Sequence, residues 1–594
     1  MPNIRIHTSP FRSALSILAA LVGLSPSLSA AYTVTLSHDT LQAVDGFGIS
    51  AAWSGGEVMR LPEPERSRVL GMFFTDQGAA MSIIRMRVVP KTDADFQNQI
   101  DMAAWAKAKG ISRFYATVWD VPGQFLDGSQ RMLPERFGAF ADYIAAFVKD
   151  MADAGIPIGW IGIQNEPDNG PKQTPAAIDY NQYTVHYYRS KAELRDFSIV
   201  LKKVLASKGL SGVKLLGPEC MGWEGSRELT KSQFETAEGT QALDVIATHD
   251  YWGAERDADM DPVRVEMAGI AKANHKHIWQ TEYSRVDCLP GCAEACYYPS
   301  VAQDPAKILT QADFNMRDGL EMANYLYKDF SKANASAWLF WWTHNPNKGC
   351  GNASQGIVGM HNSFNGLAIL KDDQTFFFPK RFHALSHYMR FVRPGSYRLK
   401  LTTDGETAVH PLAFWDPVKD QVVVVAYNNG NAAASLSLQL NGFESHIAVK
   451  HYRTTQAADM NVALQEARTL AVGQAYAADL PGQSISTFVF DRSALVAMHG
   501  PGSGKVDIGG GLDPHVEGGI KYVAAAGERV SMRVKTLQGR LVAAEVRAYP
   551  EAGEHRWDWR GACAGGCAGN GVYQVELDYG TSGRQQRMLL LPLR

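Results

Sequence analysis

Glu166 and Glu282 each close a short apolar run: Ile158-Gly159-Trp160-Ile161-Gly162-Ile163-Gln164-Asn165-Glu166-Pro167-Asp168, and His277-Ile278-Trp279-Gln280-Thr281-Glu282-Tyr283. Short runs rich in Ile and Trp read as strands buried on both faces. Pro167 cannot continue a ladder, so both carboxylates are expected at strand carboxyl ends. Two carboxylates so placed suit cleavage of an acetal bond with retention: one protonates the leaving oxygen, and the other, about 5–5.5 Å away, attacks the anomeric carbon. Taken singly, a glutamate at a strand end is more commonly a surface or ion-paired group; it is the pairing that points to catalysis.

The neighbours extend the pattern. Asn165, directly before Glu166, offers an amide to a substrate hydroxyl. Arg85, Trp119, His249, Tyr251, Trp341 and Trp342 fall at other expected strand ends and Trp53 just past the first, giving donors and aromatic walls rather than metal ligands. An arginine beside the nucleophile would keep it ionised, while the acid needs burial or the other carboxylate's charge to raise its pKa. The pair is expected to titrate as a coupled unit. Glu219, ending Gly217-Pro218-Glu219-Cys220, is the rival carboxylate; lacking the preceding amide, it is read as a secondary or substrate-contact group. Asp168 and Asp250 are read as structural.

The elements that must position these groups alternate along the chain. Strands are expected at Gly46–Ser50, Met81–Val88, Phe114–Val121, Ile158–Glu166, Val213–Glu219, Leu243–Tyr251, His277–Tyr283 and Ala335–Trp342. Helical signals lie between them. From Pro134 to Gly155, for example, Phe137, Tyr143, Ile144, Phe147 and Val148 have the three-and-four spacing of a buried face. Eight such units predict an α/β chain with a (β/α)8 barrel, whose catalytic groups gather at the strand carboxyl ends. A doubly wound sheet is the alternative, but no Gly-rich phosphate turn follows the first strand. Beyond Phe391 short alternating strands predict a β-sandwich that recruits Tyr32–Leu36. The expected organisation is therefore a barrel over 45–390, a discontinuous sandwich of 32–44 plus 391–492, a Gly-rich linker over 493–517 and a small β domain over 518–594.

The 594 residues call for two or three domains, and a net charge of −3 gives no basic excess, so neither nucleic acid nor an anionic membrane is an expected partner. Thirteen Trp, 22 Tyr and 25 Phe supply platforms for flat, weakly polar ligands such as sugar rings. A basic start (Arg5, Arg12), an apolar stretch from Ala14 to Leu24 and Ser27-Leu28-Ser29-Ala30-Ala31 form a secretory leader over 1–31, shorter than the roughly 20 apolar residues of a membrane span. A secreted, extracellular or periplasmic bacterial monomer with no membrane segment after leader removal is expected. The seven cysteines leave at least one unpaired. Cys288, Cys292 and Cys296, with Cys350 as a candidate partner, read as a loop staple rather than a zinc site, as do Cys563 and Cys567.

Gly46-Phe47-Gly48, Gln164-Asn165-Glu166-Pro167, Thr281-Glu282-Tyr283 and Phe391-Val392-Arg393-Pro394-Gly395 stand in an order and spacing that resembles glycoside hydrolase family 30 over roughly residues 32 to 492. The resemblance implies a clan A barrel fused to a β-sandwich, retaining hydrolysis of β-linked glycosides, and no metal or organic cofactor. By the same resemblance Glu166 is the acid/base and Glu282 the nucleophile; Asn165 binds the 2-hydroxyl; Arg85, His249 and Tyr251 support the nucleophile; Trp119 and Trp341 line the cleavage subsite. The segment from Leu133-Pro134-Glu135 to Gln164 and the Arg-Pro-Gly element look most like the xylan-cleaving branches, making plant hemicellulose, foremost β-1,4-xylan, the expected polysaccharide partner. The segment after the nucleophile, Tyr283-Ser284-Arg285-Val286-Asp287 and on to Tyr298, does not match the loop by which glucuronoxylanases grip a glucuronic acid branch. Other substrates kept open are β-1,6-glucan, β-1,6-galactan and glucosylceramide, and the non-enzymatic alternative is a polysaccharide-binding protein. The last eighty residues resemble immunoglobulin-like C-terminal modules of bacterial secreted proteins; a carbohydrate-binding module using Trp557 and Trp559 is the alternative.

Overall fold

The computed structural model describes residues 32–168, 187–251, 257–284, 314–344, 366–371, 373–404, 408–440, 447–471, 473–491 and six strands between 520 and 591. The leader, the linker, Arg285, Trp559 and six of the seven cysteines lie outside the described residues. Cys220 is free and buried. Among the described residues no helix is long and apolar enough to cross a membrane.

The first strand, β1 (Tyr32–Ala43), belongs to the sandwich. The next eight, β2 (Gly46–Ser50), β3 (Ile83–Arg87), β4 (Arg113–Thr117), β5 (Trp160–Gly162), β6 (Lys214–Cys220), β7 (Val245–His249), β8 (His277–Glu282) and β9 (Ala337–Trp342), form a closed barrel in chain order. All its pairings are parallel, and β2 against β9, with Gly46 opposite Ala337, closes the ring. Side chains fill the interior: Ile83, Tyr115, Leu216, Val245, Ala247, Trp279, Ala337 and Leu339 form one buried cluster, as expected of a packed barrel core. At its floor Asp45 accepts hydrogen bonds from Trp279 Nε1 at 2.7 Å and His277 Nδ1 at 2.6 Å. The helices cover the outside with the apolar faces their spacing predicts. Phe137–Asp153, entered through a 3-10 turn at Pro134–Arg136, buries Phe137, Phe140, Ile144, Phe147, Val148 and Met151.

One strand departs from expectation in a way that shapes the site. The run Ile158–Glu166 yields a strand of only three residues, β5. Past Gly162 the chain bonds its two neighbours in turn: Ile163 N–H to Leu216 O (3.0 Å), Asn165 N–H to Val118 O (2.7 Å) and Glu166 N–H to Glu219 O (2.9 Å). The left-handed backbone at Glu166 (φ +43°) then turns it out of line. Apolar content reports burial on both faces, not the point where a ladder ends.

Two short strands, β10 (Ile369–Leu370) and β11 (Phe376–Phe377), follow the barrel. The sandwich domain is a nine-stranded sheet in the order β17-β16-β19-β14-β13-β12-β1-β15-β18. Its later strands are β12 (Tyr397–Thr403), β13 (Val409–Asp416), β14 (Gln421–Asn428), β15 (Ala434–Leu440), β16 (Ile447–Thr454), β17 (Ala463–Leu470), β18 (Tyr476–Leu480) and β19 (Ser484–Asp491). Here β1 runs antiparallel to β12 and parallel to β15, stitching the start of the described chain into a late domain. The buried helix Lys380–Met389 joins the two bodies, with His387 hydrogen-bonded to Thr487 (2.7 Å) and Thr454 (2.9 Å). At the C-terminus β20 (Ile520–Ala524) pairs with β23 (Gly553–Trp557), and β22 (Leu541–Tyr549), β21 (Glu528–Thr536), β24 (Gly571–Asp578) and β25 (Arg584–Leu591) form an antiparallel sheet.

Candidate active site

Glu282 is the last residue of β8 and is 3% exposed. Tyr251, two residues past β7, donates its hydroxyl to Glu282 Oε1 at 2.6 Å, and the Arg85 guanidinium from β3 forms an ion pair with Oε2. Glu166 approaches from the turn after β5, its side chain 15% exposed and Oε1 3.1 Å from His249 Nδ1. One atom each from Glu166, His249 and Glu282 lie within 4.8 Å of one another. The barrel therefore brings the two sequence-predicted carboxylates together at one mouth.

Between and beneath them lies a network only partly visible from sequence. Arg85, fully buried, donates Nη2 to Asn165 Oδ1 at 2.6 Å and to Glu219 Oε1 at 3.1 Å. With its carbonyl oxygen engaged by Arg85, the Asn165 amide has an NH2 that bonds no other group among the described residues and can be offered to a ligand. Gln164, also fully buried, donates to the carbonyls of Val118 and Trp119 at 3.3 and 3.1 Å, bracing the same turn. Glu219 is fully buried and accepts from Tyr115 Oη and Thr117 Oγ1 as well as Arg85. It is thus a secondary group, and burial corrects the substrate-contact option. Tyr115 was not singled out in the sequence, because an inward residue in mid-strand looks like any core aromatic.

Aromatic rings wall the mouth. Trp53, 38% exposed and with φ +55°, meets Trp119 edge-on at 5.4 Å and Trp341 at 5.9 Å. Trp119 and Trp341 stand 5.7 Å apart, and Trp342 stacks behind Trp341 at 5.0 Å. Arg85 lies over Trp119 at 4.3 Å and Arg87 over Trp53 at 4.1 Å. Asp95 holds this corner, accepting from Trp53 N–H (3.0 Å) and Arg87 Nη1 (3.3 Å). Glu166, Glu219 and Trp53 all have left-handed backbones, a strain that surrounding structure must hold in place.

Burial pushes the Glu282 carboxyl above its ordinary range, with Arg85 and the Tyr251 hydroxyl holding it back. Burial also lowers His249 to about 4, so its ring is neutral at physiological pH. His249 was expected beside Glu282, and its Nε2 lies 3.9 Å from Glu282 Oε2, while its Nδ1 bonds Glu166. Two carboxylates and an imidazole this close resemble a metal-ligand set. Of the two carboxylates, Glu282 is paired with the Arg85 guanidinium, which it shares with Glu219. Asp168 and Asp250 hold loops. Asp168, raised to about 7 by burial, accepts Met221 N–H at 2.9 Å, and Asp250 pairs with the buried Arg264 at 2.7 Å.

Comparison with known proteins agrees with this geometry. Residues 395–488 match the family described as the glycosyl hydrolase family 30 beta sandwich domain. Glucuronoxylanase XynC of Bacillus subtilis (strain 168) is 22% identical over 472 residues, covering 77% of this chain and 92% of that protein. Among solved structures, a GH30 endoxylanase from Clostridium papyrosolvens C71 superposes with a TM-score of 0.57 at 22% identity, covering 78% of this chain and all of that one. An endo-β-1,6-glucanase superposes with a TM-score of 0.55 at 18% identity, covering 78% of this chain and 94% of that one. By its sandwich domain over residues 395–488, its relatives along most of its length and its barrel, the chain is similar to proteins of glycoside hydrolase family 30.

Proposed function

We propose that the protein is a secreted bacterial retaining endo-β-glycosidase of plant cell-wall hemicellulose, foremost β-1,4-xylan. The observation that carries the mechanism is the close approach of the two carboxylates, whose atoms lie within 4.8 Å. So close an approach supports the roughly 5–5.5 Å spacing of retaining enzymes over the roughly 6.5–9.5 Å that leaves room for a water in inverting ones. In the first step a Glu282 oxygen bonds to the anomeric carbon while Glu166 delivers its proton to the departing glycosidic oxygen. In the second, Glu166 takes a proton from water, the water oxygen bonds to the anomeric carbon, and the ester to Glu282 breaks.

Each neighbour has a part in this reading. Arg85 and Tyr251 hold Glu282 and stabilise its charge when it is regenerated. Asn165 presents its NH2 to the sugar's 2-hydroxyl, and neutral His249 orients Glu166. Trp53, Trp119, Trp341 and Trp342 shape the cleft against the sugar's apolar faces. Xylan is favoured because the Bacillus subtilis relative that matches along most of its length is a glucuronoxylanase. The β-1,6-glucan alternative is kept by the shared fold of the solved β-1,6-glucanase. Product analysis on xylan, glucuronoxylan, arabinoxylan and β-1,6-glucan decides between them. Xylo-oligosaccharides of mixed length whose first-formed ends are β-anomers by proton NMR are expected; hydrolysis of β-1,6-glucan alone would overturn the substrate, and α-anomers the mechanism.

A further inference from the structure

Glu219 reaches both arms of the catalytic pair without touching the open cleft. Its side chain, fully buried, takes Arg85 Nη2 at 3.1 Å, while Nη1 of the same guanidinium pairs with Glu282. Its backbone carbonyl accepts the Glu166 N–H at 2.9 Å. Two hydroxyls from β4, Tyr115 Oη and Thr117 Oγ1, occupy its two oxygens. The space it fills exists because residue 162 on β5 is glycine; a Cβ there would collide with Glu219 Oε2 and Thr117 Oγ1. Four barrel strands thus cooperate to keep a carboxylate under Arg85, where a core residue would ordinarily be apolar.

We propose that Glu219 is a positioning residue for the reaction: it divides the Arg85 guanidinium between itself and Glu282, and so sets how firmly the nucleophile's negative charge is held. The inference rests on the reading of Glu282 as nucleophile. A carboxylate gives up its charge as it bonds to the anomeric carbon, so an undivided ion pair with Arg85 would stabilise the free enzyme more than the transition state and slow attack. Among the described residues, the other groups near Glu282 are Tyr251 and His249 from β7 and its following loop, and Glu166 from the turn after β5, while Asn165 accepts from Arg85. Trp341 and Trp119, near the guanidinium, are uncharged. Among these groups only Glu219 competes for Arg85 with a full negative charge.

The test is the pH profile of kcat/KM in three variants of the full chain, with melting temperatures alongside. Glu219→Gln keeps the shape and removes the charge. Its acid limb should move to lower pH by about half to one unit, with kcat down about tenfold. Glu219→Asp, which keeps the charge, should hold the wild-type acid limb. Thr117→Val removes one donor from Glu219 and leaves its charge less satisfied; Arg85 is drawn toward Glu219, and the limb should move upward. This variant carries the test if Glu219→Gln does not fold. An unmoved acid limb in Glu219→Gln, or, where that variant is unfolded, in Thr117→Val, overturns the proposal, since a merely structural role would change stability and rate but not that limb. Azide rescue of Glu282→Ala separates the two failures. If azide restores turnover and yields an α-glycosyl azide while the limb stays fixed, Glu219 alone is misassigned; if azide has no effect, the reading of Glu282 falls.

Discussion

At the scale of single residues, His249 shows how a site's chemistry depends on details a sequence does not display. The ring is fully buried between two carboxylates, and burial holds its pKa near 4. Because the folded value lies below the ordinary one of 6.5, the unfolded chain takes up a proton here before the folded one does. Its contribution to stability is complete above about pH 6.5 and lost as pH falls through about 4. The His249 carbon-bound proton resonances should therefore keep their neutral-form shifts from pH 8 to pH 5 and move only near 4; a midpoint near 6.5 would show a charged ring between the glutamates. Glu166, Glu282 and Asn165 were legible because they end apolar runs, and residue type plus position suffices to nominate them. That His249 would also bond Glu166 was not, since it turns on a side chain reaching across the mouth. Glu219 was legible as a carboxylate but not as a buried one: Tyr115, Thr117 and Gly162 create its niche from two other strands.

At the scale of elements, the strand ends work because the loops behind them are pinned. The loop after β7, which carries Tyr251, is anchored by Asp250 to the fully buried Arg264, which also holds Asp329 at 2.9 Å on the helix Met316–Ser331. Asp329 in turn accepts Trp338 Nε1 from β9 at 3.0 Å. One guanidinium thus ties the supports of β7, β9 and two covering helices. Arg264→Leu should leave two buried carboxylates without their cation and cost about 3–5 kcal/mol, read as a marked fall in melting temperature together with lost activity. Wild-type stability in that variant would show the network to be dispensable. The alternation of strands and helices revealed these elements by period alone. It overran β4 and β5, because buried residues continue past the last ladder bond into the turns that carry Trp119 and Glu166.

At the scale of the whole molecule, the sandwich is bound to the barrel by sequence order as well as by packing. Strand β1 enters the late sheet before the chain begins the barrel, and the helix Lys380–Met389 is buried between the two. The change from long alternating units to short strands made this division readable in advance, and the recruitment of the early strand followed from its alternation. The C-terminal sheets follow the sandwich in the chain, and among the described residues none of theirs belongs to the network around Glu166 and Glu282. A chain ended after Asp491 is therefore expected to keep its kcat on soluble xylan within about twofold, measured by reducing-end release. A chain lacking residues 32–43 should not fold cooperatively, because Val34 and Leu36 belong to the sandwich core. The central claim, that Glu282 is the nucleophile opposite Glu166, is tested most directly by trapping the enzyme with a 2-fluoro xylobioside bearing a good leaving group and mapping the labelled peptide by mass spectrometry. A fluoroglycosyl ester on Glu282 is the predicted result; a label on Glu166 or Glu219, or turnover that leaves no covalent species, would contradict it.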